Sequence, residues 1–107
     1  MSTQTWHRVC AVTDIADESA IRVEIDGETI CVAKSGGEVF ALDDTCSHAE
    51  VALSEGEVED GTVECWLHGS RFDLRTGKPS GLPATKPVSV YPTTVDGDHV
   101  LVAMESS

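Results

Sequence analysis

Basic residues are scarce in this chain. Its 107 residues include seven Lys and Arg against 19 Asp and Glu, so the formal net charge is −12. Nucleic acid phosphates and anionic membrane surfaces repel a protein of this charge. The scarcity therefore argues against both as partners. It favours a partner with a basic docking surface, although acidity also serves solubility alone.

Long apolar runs are also lacking. No stretch approaches the roughly 18 residues of a membrane span. The first five residues lack the charged and apolar regions of a secretory signal. We therefore expect no membrane association and a soluble, cytoplasmic protein. The length leaves room for one domain, residues 1–107, with a modest core.

Helical periodicity is missing as well, apart from one turn near residues 13–18. Ile21, Val23 and Ile25 alternate with polar residues, which is typical of a half-buried strand. Turn dipeptides join predicted strands 21–25 to 29–34, 29–34 to 39–42, 57–59 to 62–65, and 88–95 to 99–104. These dipeptides are Asp26-Gly27, Gly36-Gly37, Asp60-Gly61 and Asp96-Gly97. The sequence therefore predicts an all-β fold.

No Ser-His-Asp triad or phosphate-binding glycine loop stands in a supporting context. The chain does contain two pairs of metal-binding residues: Cys46 with His48 and, after sixteen intervening residues, Cys65 with His68. Each pair supplies one thiolate and one imidazole, and both groups suit iron. Two thiolates and two imidazoles are the ligands of a Rieske [2Fe–2S] centre. We predict these four residues as the ligands of such a cluster.

Two other uses of these residues remain open. A Cys₂His₂ zinc site takes the same donors, but its usual spacing is C-x(2–4)-C with H-x(3–5)-H, which this chain lacks. A disulfide framework needs an oxidising compartment, and nothing in the sequence indicates secretion.

At the ligand positions the chain resembles Rieske-type ferredoxins, the small electron carriers of bacterial multicomponent oxygenases that hydroxylate aromatic rings. The resemblance continues through residues 68–79 and the proline-bearing segment Gly81-Leu82-Pro83-Ala84. It implies a small antiparallel β-sandwich base (residues 1–42 and 83–107). A cluster-binding β subdomain (about residues 43–82) would be inserted in that base, with one [2Fe–2S] cluster per chain.

The resemblance also implies a function. We expect a monomeric, non-catalytic carrier that accepts one electron from a flavin-containing reductase and passes it to a terminal Rieske non-haem iron dioxygenase. Only 39 residues follow His68 (107 − 68), too few for a further catalytic iron site. The alternatives are a ferredoxin for iron–sulfur assembly or another housekeeping redox pathway, the small subunit of a nitrite reductase, and a zinc-stabilised interaction module.

Two features of high-potential respiratory Rieske proteins are missing. The ligand segments carry no additional cysteine pair, and Phe72 stands where those proteins have a tyrosine, although Ser70 is present. Hydrogen bonds to cluster sulfur favour the reduced state, so fewer of them lower the potential. We expect a potential in the low half of the Rieske range, whose lower end is about −150 mV.

The remaining candidates have structural interpretations. Cys10 and Cys31 fall in predicted strands and are expected to be small buried apolar residues. Trp6 is expected to pack on the base core, and His7 and His99 are expected to be solvated or hydrogen-bonded. The acidic residues between the ligand pairs are interpreted as a solvated face that could flank a docking site: Glu55, Glu57, Glu59, Asp60 and Glu64.

Overall fold

The computed structural model describes residues 3–25, 27–44, 52–65, 71–79 and 87–106. Within these ranges the chain forms ten strands and two short 3₁₀ turns, Val12–Asp14 and Leu53–Glu55, so the all-β prediction is confirmed. No helix in these ranges is long and apolar enough to cross a bilayer. The strands are β1 (Thr3–Ala11), β2 (Ser19–Ile25), β3 (Glu28–Ser35), β4 (Glu38–Asp43), β5 (Val58–Glu59), β6 (Thr62–Glu64), β7 (Arg71–Asp73), β8 (Val90–Tyr91), β9 (Thr93–Asp96) and β10 (His99–Ser106).

The strands form three antiparallel sheets. The outer sheet has the order β1-β10-β9, the middle sheet β2-β3-β4-β8, and the small sheet β5-β6-β7. In sequence the small sheet falls between β4 and β8, inside the predicted cluster-binding segment, residues 43–82. The division of the chain into two subdomains stays a prediction.

The four predicted hairpins are confirmed, because the strands on either side of each turn dipeptide pair directly. The turn between β5 and β6 shows why the dipeptide matters. Asp60 has φ 49° and Gly61 has φ 76°. Two successive residues with positive φ give a turn whose twist matches that of the flanking strands, and a short polar side chain tolerates this conformation.

The prediction of one strand over residues 88–95 is wrong. The chain forms β8 and β9 on either side of Pro92, and the two strands join different sheets: β8 pairs with β4, and β9 pairs with β10. Proline has no backbone N–H to donate to a ladder, so it interrupts a strand. Its carbonyl oxygen still accepts a hydrogen bond from Ala103 N at 2.9 Å.

The middle sheet is covered on both faces. Successive residues of a strand point to opposite faces, yet four consecutive residues of β3 are buried: Ile30, Cys31, Val32 and Ala33. One face contributes to a core shared with the outer sheet, formed by Ile15, Ile25, Ile30, Val32, Ala41, Val100, Val102 and Met104. The other face contributes to a second core, shared with the small sheet, formed by Cys31, Ala33, Leu42, Leu53, Val58, Val63, Cys65, Phe72, Leu74 and Val88.

The expectation that Trp6 packs on the core is wrong, because this side chain is 48% exposed. Trp6 lies opposite Ala103 in the ladder, whereas His7 lies opposite the core residue Val102. Strand alternation therefore turns Trp6 to the face away from the core.

The other side chains mostly follow expectation. Cys31 is fully buried, but Cys10 is only half-buried. His99 is exposed and His7 is half-buried. Four of the five acidic residues between the ligand pairs are exposed: Glu55, Glu57, Glu59 and Asp60. The fifth, Glu64, is half-buried and forms an ion pair with Arg71.

The Glu18 carboxylate ties the middle sheet to the small sheet. Glu18 Oε1 accepts hydrogen bonds from Ser35 Oγ at 2.9 Å and from Gly36 N at 3.1 Å. Its other oxygen accepts one from Asp60 N at 3.2 Å, and Ser35 Oγ accepts one from Gly61 N at 2.9 Å. One side chain therefore joins the β3–β4 turn to the β5–β6 turn.

We expect the substitution Glu18→Ala to lower the free energy of unfolding by about 1–2 kcal/mol, because it leaves these partially exposed donors without their carboxylate. Denaturant unfolding measures the change. The control is Glu24→Ala. Glu24 is also an exposed glutamate, but it lies on β2 and faces solvent. Equal stability of the two variants would contradict the role assigned to Glu18.

Candidate metal centre

Cys65 is the predicted ligand that the structure describes. It follows β6 directly, and its side chain is fully buried in the second core beside Phe72 and Leu53. Cys46, His48 and His68 lie outside the described residues. Within the described ranges, no three His, Cys, Asp or Glu side chains lie close enough to hold a metal ion. The geometry of the four-ligand set therefore stays a prediction, but the contacts at the ends of each ligand segment are visible.

The first ligand segment begins and ends at residues that are hydrogen-bonded to each other. Asp44 O accepts a hydrogen bond from Leu53 N at 2.6 Å, and Asp44 Oδ1 accepts one from Ser54 N at 2.8 Å. Cys46 and His48 fall between these ends in the sequence. The Asp44 side chain is only 3% exposed, and its hydrogen bond from Ser54 N is partly buried.

The second ligand segment is closed by the β6–β7 ladder. Glu64, just before Cys65, lies opposite Arg71, so residues 65–70 connect two paired strands. The two side chains also form an ion pair, with 3.2 Å between Arg71 Nη2 and Glu64 Oε2. Arg71 Nη1 donates a further hydrogen bond to Thr62 Oγ1 at 3.1 Å. Cys65 and His68 are thus carried on a hairpin connection whose base is fixed.

The proline-bearing segment is closed in the same way. Val88 N donates a hydrogen bond to Gly77 O at 2.9 Å, and Phe72 forms an isolated bridge with Pro79. Gly77 has φ 75°, and a Cβ added there would overlap the carbonyl oxygen of Val88. The segment from Gly81 to Ala84 lies between Pro79 and Val88 in sequence and is outside the described residues.

Gly56, which follows the first ligand segment, packs against the backbone just before the second. Its φ is −87°, which any residue adopts, but a Cβ added there would overlap the carbonyl oxygen of Glu64, the residue before Cys65. Backbone therefore packs directly on backbone at this point, and only glycine leaves room for it.

The two cysteines outside the predicted ligand set, Cys10 and Cys31, lie on β1 and β3, and their surroundings favour the neutral thiol. Cluster ligands are thiolates. Burial, and secondarily the nearby carboxylate of Asp44, raises the pKa of Cys31 far above its ordinary value. Burial and Asp14 raise the pKa of Cys10 as well. The described cysteines Cys10, Cys31 and Cys65 form no disulfide, which argues against a disulfide framework.

Cys65 fits the role of an iron ligand. It is buried at the start of a closed hairpin connection, and the sequence places a histidine three residues later. Phe72, where a tyrosine would offer a hydroxyl, is also fully buried and contributes only apolar surface to this core. Ser70 lies outside the described residues. These observations agree with the donor chemistry of a two-thiolate, two-imidazole cluster.

The residues that support the ligand segments give no signal in the sequence. Asp44 stood at a strand end and Gly56 in an acidic stretch, and neither carries a local motif. Their partners, Ser54 and Glu64, are eight to ten residues away in the chain. A turn signal reports on adjacent residues only, so these contacts could be found only in the folded structure.

We expect Gly56→Ala to destabilise the protein by about 1–3 kcal/mol, because the added methyl group must displace backbone. It should also accelerate loss of iron during dialysis against a chelator, followed by visible absorbance. The control is Gly97→Ala, whose added Cβ meets nothing within 4 Å and whose φ of 64° makes it a strained turn position. Iron loss at the same rate in both variants would contradict a specific role for Gly56.

Comparison with known proteins agrees with this geometry. The family model described as Rieske [2Fe-2S] domain matches residues 5–92. The ferredoxin component of biphenyl 2,3-dioxygenase from Rhodococcus jostii (strain RHA1) is 47% identical over 98 residues, which cover 92% of each chain. The ferredoxin of carbazole 1,9a-dioxygenase from Nocardioides aromaticivorans IC177 is 37% identical. Its structure superposes with a TM-score of 0.87 over 92% of this chain and 96% of that one.

A chain from a solved complex of reduced oxygenase and oxidized ferredoxin in carbazole 1,9a-dioxygenase is also similar. It is 35% identical and superposes with a TM-score of 0.88 over 94% of each chain. The family match covers most of the sequence, and the similar chains have nearly the same length. The chain therefore belongs to the Rieske [2Fe–2S] domain family and is a ferredoxin-type, electron-transferring member of it, not a catalytic enzyme.

Proposed function

We propose that this protein carries single electrons from a flavin-containing reductase to the terminal Rieske non-haem iron oxygenase of an aromatic-ring-hydroxylating dioxygenase system. The observation that carries the proposal is its 47% identity, over 92% of both chains, to the ferredoxin component of a biphenyl dioxygenase. Similarity to a chain from a solved oxygenase–ferredoxin complex supports the choice of partner. We further propose that it acts as a monomer in the cytoplasm.

The ligand set belongs to this proposal. Cys46 and Cys65 would hold the inner iron, and His48 and His68 the outer iron. The full burial of Cys65 supports its place on the inner side. When bound, the cluster supplies reversible one-electron chemistry. The residues around it hold the two ligand segments in place, and the base sheets act as a scaffold.

The same chemistry would serve a ferredoxin for iron–sulfur assembly or the small subunit of a nitrite reductase. Similarity to dioxygenase ferredoxins over nearly the whole chain favours the oxygenase pathway. A zinc-stabilised module is disfavoured, because the family model that matches is that of an iron–sulfur domain.

Surface charge supports a basic docking partner. Glu55 and Glu57 are exposed and lie just beyond the hydrogen bond that closes the first ligand segment. They contribute to the net charge of −12. Opposite charge on a partner raises the rate of encounter more than the final affinity.

We expect purified protein to contain about two irons and two acid-labile sulfides per chain, following the cluster formula. Cys65→Ser should abolish this content, because a buried serine hydroxyl is not a thiolate ligand. Cys10→Ser should retain it, since Cys10 is half-buried and distant in sequence from both ligand segments. Metal and sulfide analysis after anaerobic preparation makes the comparison; stoichiometric zinc in place of iron, or loss of iron from Cys10→Ser, would rule the ligand assignment out.

We expect the second-order rate of reduction by a flavin-containing reductase to fall at least about tenfold as added salt rises, because screening removes electrostatic steering. The Debye length shrinks from about 30 Å at 0.01 M to about 3 Å at 1 M. Stopped-flow absorbance measures this rate.

Two double variants locate the charges involved. Glu55→Gln with Glu57→Gln removes two charges beside a ligand segment. Asp96→Asn with Asp98→Asn removes two exposed charges, one at the end of β9 and one in the turn to β10. At low salt, the Glu55 and Glu57 double variant should be reduced more slowly than the Asp96 and Asp98 double variant. A salt-independent rate would reduce the acidity to a solubility feature, and equal effects would place steering in net charge alone.

A further inference from the structure

The Asp44 carboxylate is the most deeply buried acidic group among the described residues, with 3% of the side chain exposed. Through its backbone and carboxylate, Asp44 contacts three parts of the chain. Asp44 O and Oδ1 accept hydrogen bonds from Leu53 N and Ser54 N, at the far end of the first ligand segment. Asp44 N donates one to Thr29 O on β3 at 3.3 Å. Its other carboxylate oxygen lies 3.7 Å from Arg22 Nε on β2.

Burial of a charged group is costly unless hydrogen bonds and an opposite charge compensate it. Asp44 has both, but unequally. Ser54 N is a partly buried partner at 2.8 Å, whereas Arg22 is 60% exposed and makes only a long ion pair. The hydrogen bond joins Asp44 to the end of the segment, and Arg22 is the group of opposite charge beside the carboxylate.

Asp44 precedes the predicted ligand Cys46 by two residues. Two residues of extended chain span at most about 7 Å, so the Asp44 backbone lies within that distance of the Cys46 backbone. A negative charge near a cluster disfavours the addition of an electron to it, and a positive charge favours that addition.

We propose that Asp44 is a positioning residue for the first ligand segment, and that Arg22 offsets the effect of its charge on the reduction potential. The proposal rests on the cluster assignment in the proposed function. It gives Asp44 two separable roles: its oxygen atoms fasten the segment to the middle sheet, and its charge, balanced by Arg22, helps to set the potential.

Substitutions separate the two roles. Asp44→Asn keeps an oxygen that accepts from Ser54 N but removes the charge. Asp44→Ala removes both. Arg22→Gln leaves the bonds to the segment intact and removes only the positive charge. Asp14→Ala is the matched control, since Asp14 Oδ2 accepts a backbone hydrogen bond from Ala11 N at 2.9 Å at an exposed turn of the base.

The experiment measures two quantities on protein reconstituted with iron and sulfide: the rate of cluster loss to a chelator and the midpoint potential by voltammetry. We expect Asp44→Ala to lose its cluster at least about fivefold faster than wild type, the factor that corresponds to about 1 kcal/mol. Asp44→Asn and Asp14→Ala should stay within about twofold, because the segment's hydrogen bond remains. The potential should rise in Asp44→Asn and fall in Arg22→Gln.

Each result bears on a different part of the account. Wild-type protein that binds no iron or sulfide would overturn the proposed function itself. If wild-type protein holds a cluster and Asp44→Ala loses its cluster to the chelator no faster than wild type, the positioning role is overturned. If Asp44→Ala does not fold, the Asp44→Asn and Arg22→Gln potentials still decide the role of charge. An unchanged or lower potential in Asp44→Asn, or an unchanged or higher one in Arg22→Gln, would overturn it.

Discussion

The middle sheet, packed on both faces, is the constraint on which the rest of the structure depends. Its strand β3 contributes Ile30 and Val32 to one core and Cys31 and Ala33 to the other. The outer sheet and the small sheet are therefore fixed to a common layer. The small sheet carries Cys65, and the end of β4 leads to the segment that contains Cys46. Two ligand segments thus start from elements that share one core, which is what a cluster held by two separate loops requires.

A second constraint is that hydrogen bonds join the two ends of each ligand segment and of the proline-bearing segment. Backbone bonds between Asp44 and Leu53, the β6–β7 ladder, and the bond between Gly77 and Val88 each join the two ends of a segment. Fixing the ends limits the conformations that must be lost when ligands bind a metal centre. Binding of the metal in turn stabilises the surrounding fold, because ligation energy contributes to folding. The family match indicates the cofactor. The contacts named here hold the ends of the segments that carry its predicted ligands.

The sequence was a good guide where structure is local. Hairpin dipeptides, strand alternation and the two Cys–His pairs depend on residues a few positions apart, and the four hairpins, the all-β class and the Rieske family are confirmed. It failed where tertiary contacts decide. Pro92 was included in a strand that it interrupts, and Trp6 faces away from the core because of the register of β1 on β10. The supporting contacts of Asp44 and Gly56 join residues whose proximity only the fold creates.

The central claim is that two imidazoles and two thiolates hold one cluster. The most direct test is pulsed electron paramagnetic resonance of the reduced protein, prepared with ¹⁵N-labelled histidine and compared with unlabelled protein. The account predicts a paramagnetic [2Fe–2S] cluster with hyperfine couplings from two directly bound histidine nitrogens, both changed by the label. A reduced cluster without histidine coupling, or a protein that holds zinc and gives no paramagnetic signal, would contradict it.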